Sequence, residues 1–104
     1  MSAAVVALVT APSDRAEILA ETLVVERLAA CVNVLPGARS VYRWEGLVRR
    51  EDESLLVIKT TGELVEALRA RLAALHPYAV FELLTLDVTG GNPAYLAWLK
   101  DSVG

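Results

Sequence analysis

The spacing of apolar residues alternates along the chain between continuous runs and stripes at helical intervals. Each change of spacing predicts a new secondary-structure element. Residues 3–10 form a continuous apolar run, which is typical of a strand buried on both faces. Beyond Ser13, a candidate N-cap, apolar residues recur at helical spacing opposite charged ones. That pattern predicts an amphipathic helix over residues 13–29.

The middle of the chain favours a long hairpin. Residues 30–45 are typical of a strand, and Pro36-Gly37 predicts a bulge or bend within it, because proline cannot donate to a ladder and glycine permits a kink. Glu45-Gly46 is the preferred tight turn, after which a second strand returns over residues 47–60. The charged segment 49–53 is the alternative position for the turn.

A second helix follows the hairpin. Residues 60–63, Thr-Thr-Gly-Glu, fit a capping box. Leucines at 64, 68, 72 and 75 then form an apolar stripe, which predicts a helix over residues 62–75 that Pro77 closes.

The end of the chain predicts one more strand and one more helix. Residues 81–88 favour a fourth strand with alternating side chains on one face. Asn92 followed by Pro93 is typical of a helix start, and the last helix is expected to reach about residue 101.

This element order predicts one α+β domain over residues 1–104. A βαββαβ sequence of elements is the ferredoxin-like arrangement, here with an extra C-terminal helix. Its two main helices cover only one face of the sheet, yet strands 3–10 and 55–58 are apolar on both sides. A large uncovered apolar face is unusual for a monomer. The pattern therefore predicts burial of sheet against sheet in a homo-oligomer.

Composition narrows the classes of function. The chain is 55% hydrophobic, which excludes disorder and exceeds what a small domain readily hides. Its net charge of -3 argues against nucleic-acid binding, which requires a basic footprint. No apolar run reaches the roughly 18 residues of a membrane span. The single cysteine excludes an internal disulfide, and the apolar N-terminus lacks the basic start of a secretion signal, so a cytoplasmic protein is expected.

Cys31 and His76 are the candidate metal ligands, because thiolate and imidazole suit copper or zinc. Two ligands fall short of the four in a closed zinc site, so carboxylates or neighbouring subunits would have to complete it. The alternatives are a small buried cysteine at a strand start and a histidine that interacts with the end of a helix.

A polar cleft is the second candidate site. Lys59 lies at the end of an apolar strand, so its ammonium group must reach solvent or pair with a carboxylate. Glu82 is the expected partner. With His76, Tyr78 and the Trp44 ring, the pair would form a small-ligand cleft. The alternative is a structural ion pair at a subunit boundary.

The other aromatic residues, Tyr42, Tyr95 and Trp98, are expected with Trp44 in interfaces or the core, since their rings bury large areas. Base stacking is disfavoured because residues 55–58, Leu-Leu-Val-Ile, lack a basic-aromatic run. The serines have no nucleophile-elbow context and a single histidine limits triads, so no enzyme is predicted.

Taken in order, several blocks resemble the CutA family, the divalent-cation-tolerance proteins, over nearly the whole chain. The blocks are Ala29 to Gly37, Tyr42 to Gly46, Ile58 to Thr60, His76-Pro77-Tyr78, Glu82-Leu83 and Gly91 to Trp98. Ala79 and Phe81 depart from the family pattern, which commonly has glutamate and proline at those places. The loop therefore lacks one acidic and one rigidifying residue.

The resemblance implies a tight homotrimer of ferredoxin-like subunits with a role in tolerance to copper and other divalent cations. No cofactor is implied as obligatory, and Cu²⁺ or another divalent cation is the candidate ligand. A small-molecule-sensing trimer with a cleft between subunits and a purely structural trimeric scaffold are the alternatives.

Overall fold

The computed structural model describes residues 3–104, and its elements follow the predicted βαββαβ order with a final helix. The elements are β1 (Ala4–Ala11), α1 (Ser13–Val25), β2 (Cys31–Trp44), β3 (Leu47–Thr61), a 3₁₀ turn (Gly62–Leu64), α2 (Val65–Leu75), β4 (Leu84–Asp87) and α3 (Pro93–Asp101). The predicted α+β fold class is confirmed. Residues 1 and 2 of the predicted domain lie outside the described residues.

One antiparallel sheet carries the fold, with strand order β2-β3-β1-β4. Successive side chains of a strand point to opposite faces, so every second residue of β1 and β3 faces the two long helices. The core on that helical face contains Ala7, Val9, Ala11, Leu56 and Ile58 from the strands, Leu19 and Leu23 from α1, and Leu68 and Leu72 from α2. The hydrophobic effect therefore holds α1 and α2 to the same face.

The opposite face of the sheet, the open face, is apolar and largely uncovered. It comprises Val6 and Leu8 of β1, Leu55 and Val57 of β3, and Leu84 and Leu86 of β4. Leu84 is 58% exposed and Leu86 54% exposed. Helix α3 covers only one end of this face, where Leu99 packs with Ala4 and Ala30. The open apolar face predicted from the strand pattern is present.

Strands β2 and β3 extend beyond the rest of the sheet as a two-stranded arm. Pairing of β1 with β3 stops at Ala11 and Ser54, whereas β2 and β3 stay paired from Ala38–Glu53 to Trp44–Leu47. The longest dimension of the chain is 44 Å. Because an isolated two-stranded hairpin is marginally stable in water, the arm gains from contact with another surface.

Both irregularities predicted in the hairpin are confirmed. The register shifts between Leu35 and Ala38, and Gly37 adopts a φ of 84°. The chain turns at Glu45 and Gly46, with φ of 51° and 78°. The alternative turn at residues 49–53 is wrong, because those residues pair in register with residues 38–42.

Replacing Glu45 with asparagine is expected to stabilise the hairpin. Two-residue hairpin loops favour positive φ at both central positions, and asparagine tolerates that conformation better than glutamate. Chemical denaturation should show a gain of up to about 1 kcal/mol. Glu45→Val, which is β-branched, should instead destabilise the protein, and equal stability of the two variants would contradict the positive φ.

The helix ends differ from the sequence prediction. Helix α1 stops at Val25 instead of residue 29, because Arg27 adopts a φ of 61° and the Leu28 N–H donates to Leu23 O at 3.0 Å. Ser13 begins the helix without capping it, and its Oγ accepts a hydrogen bond from Ser54 Oγ at 3.2 Å.

The predicted capping box is wrong. Thr61 stands at the start of the 3₁₀ turn without a side-chain cap, and the Thr60 hydroxyl donates instead to Leu28 O at 2.7 Å. Asn92 does cap α3, since its Oδ1 accepts from the Ala94 N–H at 3.1 Å. The fourth strand is shorter than predicted, with only Leu84–Asp87 paired to β1.

Candidate ligand groove

A groove of about 610 Å³ lies between the arm and the loop that follows α2. That volume is within the range of small-molecule sites. The arm side of the groove is lined by Ser40, Val41, Tyr42, Trp44, Arg49, Glu51 and Glu53. The opposite side is lined by Thr10, Tyr78, Ala79, Val80 and Glu82. Aromatic rings and carboxylates therefore face one another across it.

His76 fixes the start of the loop. The residue is 7% exposed, and its Nδ1 accepts the Tyr78 N–H at 3.1 Å. Nε2 is 2.8 Å from Thr10 O, so Nε2 carries the proton and donates to that carbonyl. The Phe81 ring stacks on the imidazole, with centroids 5.2 Å apart. Both ring nitrogens thus serve to join the loop to the end of β1.

Two tyrosine–glutamate pairs belong to the lining of the groove. Tyr78 Oη donates to Glu53 Oε2 at 3.1 Å, and Tyr42 Oη donates to Glu51 Oε1 at 3.2 Å. Burial, followed by the Glu53 hydrogen bond and charge, raises the pKa of Tyr78 to about 12. Burial and the Glu51 carboxylate raise the pKa of Tyr42. In both tyrosines, burial and then a neighbouring carboxylate favour the protonated phenol and raise its pKa.

Absorbance titration of the tyrosines should show one phenol that ionises near pH 12 and is missing in Tyr78→Phe. Because the folded-state pKa lies above the ordinary value of 10.0, the native fold holds this proton more tightly than the unfolded chain does. Tyr78 therefore contributes stability that is complete below about pH 10 and is lost as pH rises through about 12. In Glu53→Gln the midpoint should fall. A Tyr78 midpoint at the ordinary value would contradict the pairing with Glu53.

Three of the predicted cleft residues line the groove, namely Trp44, Tyr78 and Glu82, while His76 lies beneath the loop that bears them. Lys59 lies elsewhere. It pairs in register with Val6 and Cys31, and its Nζ donates to Asn33 Oδ1. The expected Lys59–Glu82 pair does not form, because strand register places Lys59 toward the other end of the sheet.

The predicted metal ligands are also apart within one chain. Cys31 is opposite Lys59, whereas His76 contacts Thr10, which is opposite Leu55. Four residues along β3 separate those two rows, which is roughly 13 Å. Within residues 3–104, no three His, Cys, Asp or Glu side chains are grouped to hold a metal ion. The described part of a single chain therefore does not fit a closed metal site.

The aromatic residues of α3 lie outside the groove. Tyr95 and Trp98 are 41% and 47% exposed, and their ring centroids are 5.4 Å apart. Burial, together with the neighbouring Cys31 thiol, raises the pKa of Tyr95. Cys31 and α3 thus meet at the end of the sheet away from His76.

Sequence reasoning missed the acidic wall of the groove. Arg49, Glu51 and Glu53 lie at alternate positions of β3, which places their side chains on one face. That two-residue period was the available signal, but the charged segment also fits a turn.

A model of the family "CutA1 divalent ion tolerance protein" matches residues 5–102. The "Divalent-cation tolerance protein CutA" of Thermus thermophilus is 48% identical over 100 residues, which is 95% of this chain and 97% of that protein. "Protein CutA, chloroplastic" of Arabidopsis thaliana is also 48% identical, over 94% of this chain and 54% of its own length.

A solved structure agrees with the sequence comparison. The divalent cation tolerance protein of Thermus thermophilus superposes with a TM-score of 0.95 at 47% identity, covering 97% of this chain and 99% of that one. Within residues 3–104, no helix is long and apolar enough to cross a membrane.

Proposed function

Because this chain belongs to the CutA1 divalent ion tolerance protein family, we propose that it acts as a non-catalytic homotrimer in the tolerance of divalent cations, copper among them. The open apolar face of the sheet is the observation that supports assembly. The family resemblance supplies the number three.

The energetics favour covering the open face with further copies of the same surface. Leu84 and Leu86 are more than half exposed in the single chain. Full burial of such a side chain contributes about 1.5–3 kcal/mol. The arm adds Leu47 and Val48, each exposed by 53% or more. A closed ring of identical subunits buries these residues without leaving a free interface.

Metal binding by Cys31 and His76 is part of the proposal, with the site completed across subunit boundaries. Residues 3–104 of one chain group too few ligands, and Cys31 and His76 lie at opposite ends of the sheet. Cys31 is a free, half-buried thiol, which suits a soft cation. His76 would have to give up its contact with either Thr10 or Tyr78 to become a ligand.

Calorimetric titration of the assembled protein with Cu²⁺ tests this part of the proposal. We expect one ion or fewer per chain for the wild type, and a loss of at least about tenfold in affinity for Cys31→Ala. Asp52→Asn, an exposed carboxylate paired with Arg39, is the matched control. Unchanged affinity in both Cys31→Ala and His76→Ala would remove the proposed ligands.

A second candidate function is small-molecule sensing by the same trimer. The groove favours it, because its volume, aromatic rings and convergent carboxylates are typical of a ligand site.

A cytoplasmic location is also proposed. The single free thiol supports it, since reducing compartments preserve thiols. The chloroplastic designation of the Arabidopsis relative belongs to that protein. The net charge of -3 supports the absence of nucleic-acid partners.

A further inference from the structure

Glu53 has an unusual position for a carboxylate, since it is 95% buried yet faces the groove. Its exposed fraction is 5%, and it belongs to the groove lining. Within residues 3–104, its only side-chain hydrogen bond comes from Tyr78 Oη to Oε2. An ionised carboxylate can accept about four hydrogen bonds. Glu53 therefore has unused acceptor capacity directed at the groove.

Oε1 of Glu53 is the free acceptor. Among the described residues, every fully enclosed side-chain oxygen or nitrogen has a hydrogen-bond partner. Oε1 of Glu53 has none, so it is not fully enclosed and retains access to the groove. Glu53 also has no cation within ion-pair distance among residues 3–104, where the ion pairs are Arg39–Asp52, Arg69–Glu66 and Arg71–Glu26. A buried carboxylate without a cation is costly, and a ligand cation would offset that cost.

The remaining lining suits the same kind of ligand. Glu51 and Glu82 add two carboxylates, while Arg49 is the one cationic side chain of the described lining. The lining also contains the rings of Tyr42, Trp44 and Tyr78, and aromatic rings attract cations. The Tyr78 hydroxyl lies 3.1 Å from Glu53 Oε2, which places an aromatic ring directly beside the buried carboxylate. Charge and aromatic surface therefore coincide in one groove.

We propose that this groove binds a small organic cation that bears a primary ammonium group and an apolar body. The ammonium donates to Glu53 Oε1, and the apolar body lies against Trp44 and Tyr42. This inference deepens the second candidate function, small-molecule sensing, and rests on it.

Other ligand chemistries fit the groove less well. An anion would meet three carboxylates and one arginine. A divalent cation would require a tight group of ligands, and residues 3–104 contain none. A quaternary ammonium has no N–H to donate, so it would leave Glu53 Oε1 without a hydrogen bond. The primary ammonium satisfies both the charge and the acceptor.

Three probes that share one phenylethyl group test the inference by calorimetry on the full chain. They are 2-phenylethylammonium, its N,N,N-trimethyl derivative and 3-phenylpropanoate. We expect measurable binding of the primary ammonium, at least about tenfold weaker binding of the trimethyl derivative, and no binding of the carboxylate. Equal binding of the first two probes, binding of the carboxylate, or no binding of any probe would overturn the inference.

Glu53→Gln identifies the acceptor, because it keeps the shape and the contact with Tyr78 while removing the charge. We expect it to weaken 2-phenylethylammonium binding by roughly ten- to a hundredfold. Asp52→Asn, one residue away and exposed, should leave binding unchanged. Glu82→Gln, on the exposed rim, should weaken binding several-fold and serves if Glu53→Gln does not fold. Undiminished binding in both glutamine variants would overturn the assignment.

The oligomeric state of each sample separates this inference from the proposed function. If the protein is a trimer but binds no ammonium probe, the proposed assembly is supported and the proposed ligand class is wrong. If it is a monomer and still binds the primary ammonium selectively, the proposed trimer is wrong and the ligand class is supported.

Discussion

Replacing both Leu84 and Leu86 with glutamate is expected to convert the assembled protein to monomers. The two side chains lie on the open face, opposite Leu8 and Val6 of β1. Each leucine contributes about 1.5–3 kcal/mol when it is buried between subunits. Each introduced carboxylate would add the cost of burying an unpaired charge, so the exposed monomer becomes the more stable state. Sedimentation velocity at low micromolar concentration measures the change.

Ile18→Glu is the matched control for this prediction. Ile18 is 66% exposed on α1, on the side of the sheet opposite the open face, so its replacement should leave the assembly intact. An unchanged oligomer in the double variant would contradict the open face as the interface, because charged side chains at its centre would then be tolerated.

Replacing His76 with alanine is expected to lower the free energy of unfolding by about 2–4 kcal/mol, with or without metal. The imidazole is nearly buried, stacks on Phe81, and bridges Thr10 O and the Tyr78 N–H. Alanine would leave a cavity and two backbone groups without their partner. Chemical denaturation in the presence of a chelator measures the loss at a fixed protein concentration.

Val80→Ala is the control for His76, since Val80 lies in the same loop and is 70% exposed. Its effect should stay within about 0.5 kcal/mol. If the role of His76 is structural, the wild type remains more stable than His76→Ala when both are treated with chelator. If the two proteins are equally stable with chelator and differ only when Cu²⁺ is present, His76 acts through a metal ion.

The element order was predictable because apolar periodicity is a local property of the chain. The switch from a continuous run at residues 3–10 to helical spacing beyond Ser13 placed β1 and α1 correctly. The Glu45-Gly46 turn and the Pro36-Gly37 bulge were also predictable, since each depends on what one residue type permits in the backbone.

Helix ends were less predictable, because tertiary partners compete with local caps. Thr60 and Ser13 have the right side chains for capping, yet each bonds to another element, Leu28 and Ser54 respectively. Arg27 ends α1 in a left-handed conformation that its residue type gives no reason to expect.

The groove could be predicted only in part. Tyr78 and Glu82 could be identified because they follow His76 closely in sequence, and Trp44 because it lies next to the hairpin turn. Glu53 was missed because its burial depends on Tyr78, which lies 25 residues away in sequence. The assignment of Lys59 to the cleft was wrong. Its distance from Glu82 depends on the strand register, which the composition of the chain does not specify.

Native mass spectrometry of the wild-type protein at low micromolar concentration tests the assembly claim most directly. If copies of the chain cover the open face, the dominant species has the mass of three chains and persists without added metal. A dominant species with the mass of one chain would contradict the account, because Leu84, Leu86 and the arm would then be stable in water without a partner.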